Sequence, residues 1–102
     1  MTVGTLRMVL YLHDCHSLKE KRSVLKKILE RTKARFNVSA AEVGDNDAHT
    51  RATLAFVTVA NDQRLVNSAL DKVINFVDHL FLAEIVDHEI ELIHFSPRFE
   101  AG

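Results

Sequence analysis

The chain has 102 residues, 47% hydrophobic and 26% charged, with a formal net charge of −1. That is the size and balance of one globular domain, large enough to bury a core without disulfides or a structural metal. Its single cysteine, Cys15, excludes an intrachain disulfide framework and a zinc site built of several thiolates, and no apolar run approaches the ~18 residues of a membrane span.

From Val3 to His13, Leu6, Met8, Leu10 and Leu12 alternate with Thr5, Arg7, Val9 and Tyr11, the period of a strand with one face on the core. The first residues carry no basic n-region, so the reading is a cytoplasmic protein without a signal peptide. Ser17-Leu18-Lys19-Glu20 has the spacing of a capping box: the Ser17 hydroxyl can accept from the Glu20 N–H while the Glu20 carboxylate reaches back to Ser17. The helix it opens is expected to run to about Phe36, with Leu18, Leu25, Ile28, Leu29, Thr32 and Phe36 on one face.

Residues 37–43 read as a second strand, closed by the polar loop Gly44 to His49, and Thr50 to Val59 as a third, β-branched and apolar. Asn61-Asp62 signals a helix start, and the second helix follows with Leu65, Val66, Ala69, Leu70, Val73, Phe76, Val77 and Leu80 on its inward face. Glu84 to Phe95 is the last strand, stopped by Pro97, with Arg98 to Gly102 as a frayed tail. A short loop makes strands two and three antiparallel neighbours, and helices carry the other connections. Right-handed crossovers then give an α+β, ferredoxin-like βαββαβ domain over residues 1–102, with an ordered core of about 3–95, a four-stranded antiparallel sheet and both helices on one face.

Charge is unevenly distributed. Residues 1–36 carry +6 and residues 37–102 carry −7. Most of the excess lies on the first helix, where Lys19, Arg22, Lys26 and Lys33 form one stripe and Lys27, Arg31 and Arg35 another. With Lys21 this makes eight basic residues against Glu20 and Glu30. Such a face attracts phosphate backbones by counterion release, and the helix N-terminus near Lys19, Lys21 and Arg22 adds a small anion preference. The plainer reading is a solvated helix face, or one neutralised by the acidic second half of the chain.

The face opposite the helices is expected to show Thr5, Arg7, Val9 and Tyr11 beside Asp87, Glu89, Glu91 and Ile93. With Tyr11 and Phe95 as its stackable rings and an acidic border, it makes a poor aromatic platform for RNA. The third strand is apolar on both sides, which suits a second copy of the chain covering this face at Val9, Tyr11, Ala55 and Val57. A modest exposed apolar patch is the alternative.

The topology also brings His13, Asp14, Cys15 and His16 to the same end as Asp45, Asp47 and His49, with His88 beside them. Turn chemistry explains these residue types better than a metal does, and His88 and His94 lie roughly 20 Å apart, too far to share an ion. Three glycines cannot build a phosphate loop, and no nucleophile-elbow or metalloprotease motif occurs. No catalytic residue, metal or cofactor is therefore expected; Cys15 beside His16 is the one thiol–base pairing to check.

Ser17-Leu18-Lys19-Glu20-Lys21-Arg22, with Phe36-Asn37-Val38-Ser39, Ala41-Glu42-Val43 and Val59-Ala60-Asn61-Asp62, resembles the YlxP-like family, a bacterial family of unknown function. The resemblance covers about residues 3–95. It implies a ferredoxin-like fold, no established activity, and a setting near transcription and translation factors. The readings that result are a non-catalytic accessory of RNA or the ribosome acting through the basic helix, or a homo-oligomeric (dimeric) interaction module using the open sheet face without nucleic acid.

Overall fold

In the computed structural model, which describes residues 1–96, the elements follow the order β1 (Thr2–Tyr11), α1 (Leu18–Arg35), β2 (Ser39–Gly44), β3 (Arg51–Ala60), α2 (Gln63–Asp78) and β4 (Glu84–His94). The sheet order is β2-β3-β1-β4 and every pairing is antiparallel. The expected ferredoxin-like arrangement is thus the observed one. The expectations at Pro97 and for the tail lie outside the described residues.

Alternation decides which side of the sheet is dry. Leu6, Met8 and Leu10 of β1 and Ala52, Leu54 and Phe56 of β3 are fully buried on the helix side. Leu25 and Ile28 of α1 and Val66, Leu70, Val73 and Val77 of α2 close over them as one cluster. Gly4 sets how near α2 can come: a Cβ there would land on Val66 Cγ1 and stand 2.9 Å from Leu70 Cδ1.

The boundaries shift where local hydrogen bonds intervene. β1 ends at Tyr11 rather than His13, although Leu12 stays buried and its N–H still bonds Thr50 O before the chain turns. β2 starts at Ser39 because the Val38 N–H folds back onto Phe36 O. The capping box forms with one change. Ser17 Oγ accepts from the Glu20 N–H at 3.1 Å, but Glu20 Oε2 accepts from His16 N–H at 2.8 Å, one residue earlier than expected.

Both edge strands carry a register shift. On β2, Glu42 faces Leu54 and Gly44 faces Thr53, leaving Val43 without an opposite. On β4, Asp87 faces Val9 and Ile85 faces Leu10, leaving Val86 without one. Bulges at both edges twist their free hydrogen-bonding rows away from a straight pairing template.

Candidate functional site

Helix α1 buries Lys21, Leu25, Ile28 and Thr32, a stripe at helical spacing. Everything basic on it other than Lys21 is exposed: Lys19, Arg22, Lys26 and Lys33 in one stripe, Lys27, Arg31 and Arg35 in the other. Among the described residues, none of these seven lies within 4.0 Å of a carboxylate. The first stripe borders a shallow groove of about 280 Å³ between α1 and β2, where Arg22, Lys26 and Lys33 stand around Leu25 and Leu29. The second leads toward α2, where the Arg35 guanidinium lies 5.9 Å from the centre of the Phe76 ring.

Lys21 does not belong to this surface. It is 1% exposed, and its ammonium donates to Asp45 O and Ala48 O, both at 2.6 Å. Glu42 Oε2 stands 2.9 Å from the same nitrogen, an ion-pair contact outside hydrogen-bond angles. A lysine turned inward to tie down the β2–β3 turn offers no charge to a ligand. The expectation that it binds anions is corrected on that ground.

The open sheet face is as acidic as its pattern implied. Thr5 faces Glu91, Arg7 faces Glu89 and Val9 faces Asp87. Arg7 Nε donates to Glu89 Oε1 at 2.8 Å and its Nη2 lies 3.9 Å from Asp87, so this cation is already engaged. The acidic residues of β4 therefore sit on the sheet, and among the described residues the one ion pair between α1 and the second half of the chain is Lys21 with Glu42.

The four residues expected to cover a second copy fare unevenly. Val9 is only 3% exposed and offers a partner almost nothing. Tyr11 is exposed but leans edge-on against the His13 ring, while Ala55 and Val57 are half-buried. The open apolar surface lies instead at the other end, where Val3 is flanked in register by the exposed Val59 and Ile93. That row was readable from β1's alternation once both neighbours' registers were known.

At the loop end, polar groups are spent on one another. His13 Nε2 is 2.6 Å from Glu84 Oε1, and Asp45 Oδ2 accepts from Thr53 Oγ1 at 2.8 Å with Arg51 Nε at 3.4 Å. Among the described residues no three His, Cys, Asp or Glu side chains converge as a metal site would require. Burial, reinforced by Glu20 and Asp14, pushes the Cys15 thiol upward, the reverse of what a nucleophile needs. No described helix is long and apolar enough to cross a membrane.

Residues 3–90 match the family described as "Protein of unknown function (DUF503)". The chain belongs to that family. The DUF503 match is accompanied by a relative in Bacillus subtilis (strain 168), "Uncharacterized protein YlxP", 36% identical over 76 residues, which are 74% of this chain and 83% of that protein. The YlxP-like resemblance of the chain is thereby shown. Among solved structures, "protein YJCS" shares the DUF503 chain's fold at a TM-score of 0.52 and 15% identity, over 90% of this chain and 99% of its own. SnoaB, a cofactor-independent oxygenase from Streptomyces nogalater, aligns over 92% of each chain at 12% identity and a TM-score of 0.48. At such identities a shared fold says nothing of a shared activity.

Proposed function

We propose that this DUF503 protein is a non-catalytic accessory factor that associates with RNA or the ribosome through the exposed basic face of α1. The reading rests on one observation: seven basic side chains on a single helix, none of them paired with a carboxylate among the described residues. Holding that many like charges together costs self-repulsion, and a polyanion relieves it by releasing its own counterions. The contact residues are Lys19, Arg22, Lys26 and Lys33, with Lys27, Arg31 and Arg35 on the far stripe. The acidic sheet face is turned away from the nucleic acid.

The test is Lys19→Glu with Arg22→Glu and Lys26→Glu in one chain. All three side chains are exposed, so the fold should survive, as circular dichroism can verify. Loss of RNA or ribosome co-sedimentation from nuclease-free lysate supports the reading. Undiminished co-sedimentation sinks it.

A second reading, a homo-oligomeric module without nucleic acid, is favoured by the Val59–Val3–Ile93 row on the open face. Burying it against a second copy would remove exposed apolar surface from water. Light scattering decides this: a mass that falls to that of one chain on Val59→Lys supports it, and a monomer at micromolar concentration excludes it.

A further inference from the structure

A cavity of about 650 Å³ opens at the loop end, between the turn after β1, the first turns of α1 and the segment joining α2 to β4. Among the described residues no Lys or Arg lines it, although Lys27 of the second basic stripe follows Ser23 by one helical turn. Leu12, Val24, Leu82 and Ala83 supply apolar walls, and its lining is mainly apolar. That size and character suit a small molecule rather than a few waters.

One feature marks it as more than a gap between loops. Phe81 lines it, 84% exposed at φ 54°, a left-handed conformation that costs a bulky L-residue energy, with its ring edge-on to His79 at 6.1 Å. Cys15, 7% exposed, belongs to the apolar core cluster and extends the apolar wall.

The charge on the lining then selects the ligand. Asp14, Glu20, Asp78 and Glu84 all reach the cavity. Glu20 is used by the His16 N–H and Glu84 by His13, which leaves Asp14 and Asp78 without a described ion-pair partner. Carboxylates beside an exposed aromatic face attract an ammonium, while the apolar walls accept its hydrocarbon body. We infer that this cavity binds a small organic amine, its ammonium held between Asp78, Asp14 and the Phe81 ring and its apolar part against Val24 and Leu82.

Phenethylamine, phenethyl alcohol and phenylacetate share a body and differ in charge, so titrating each into the full chain while following backbone amide shifts by NMR tests the inference. The amine should perturb Cys15, Val24 and Leu82 and bind about three- to tenfold more tightly than the alcohol, with phenylacetate weakest. Asp78→Asn should reduce the preference for the amine over the alcohol, Asp78→Asn with Asp14→Asn should reduce it further, and Phe81→Ala should weaken the amine without unfolding an exposed position. Equal affinity for amine and alcohol, preference for the carboxylate, no shifts at these residues, or a preference left unchanged by the double variant would overturn it. The basic α1 face plays no part, so Arg22→Glu should leave amine binding unchanged; a loss there also counts against the site.

Discussion

Lys21 Nζ lies 2.9 Å from Glu42 Oε2, joining the first turns of α1 to the inward face of edge strand β2. The same ammonium takes two carbonyls of the β2–β3 turn, one of them from Asp45, which is held at φ 61°. A short edge strand with a bulge makes few bonds of its own. This cation closes the turn onto the helix and orders the corner of the domain.

Lys21→Met removes both carbonyl contacts and leaves Glu42 facing a nonpolar neighbour. It should cost about 2–4 kcal/mol in urea unfolding, less than a fully sealed pair because Glu42 keeps some access to water. Adding Glu42→Leu should recover much of that loss, since replacing both partners leaves no unpaired charge. A double variant no more stable than the single one would show that the two carbonyls, not the ion pair, are what Lys21 serves.

The same lysine separates structure from binding. If RNA contacts the exposed stripes, Lys19→Ala, Arg22→Ala and Lys26→Ala should each reduce the slope of log K against log salt by about 0.7, the expectation for a single-stranded phosphate contact. Lys21→Met, measured where it remains folded, should leave the slope unchanged. Equal slopes for all four variants would remove α1 as the contact surface.

Gly4→Ala should destabilise the protein by about 1–3 kcal/mol, because the added methyl meets Val66 and Leu70 of α2 across a packed layer. The urea midpoint should fall with an unchanged m value. A neutral result would mean that α2 rides more loosely on β1 than its packing implies.

Asp62 caps α2 by accepting from the Arg64 N–H at 2.9 Å, and that bond, with the Arg64 side chain, holds its carboxyl below the usual range. A lowered folded-state pKa means the carboxylate stabilises the fold above its unfolded value of about 3.9, and the contribution is lost as pH falls through the lower folded value. Thermal melts should therefore show Asp62→Asn less stable than the parent at neutral pH. The gap should narrow as the pH drops below about 4. A gap constant with pH would rule out the charge as its source.

Element order, the inward faces of β1 and β3, both helix starts and the acidic border of the open face were legible because each depends on residues close together in the chain. The misreading at Lys21 has a definite source. Lys21 sits about 40° from Leu25 on the helical wheel, inside the apolar stripe, yet its charge argued for solvent. Glu42 occupies an inward position of β2 for which alternation alone supplied no partner. Either residue by itself reads as a surface charge; two opposite charges at inward positions of neighbouring elements were the available signal.

Periodicity and capping chemistry in the sequence determined that this chain forms a ferredoxin-like βαββαβ sheet with a basic first helix, since those patterns act over one or two turns. Which of the eight basic residues on that helix remain available to a ligand was decided only by tertiary structure. The atoms that claim Lys21 come from Glu42, Asp45 and Ala48, 21 to 27 positions further along the chain. A charge is withdrawn from the surface only when such distant oxygens converge to replace its water.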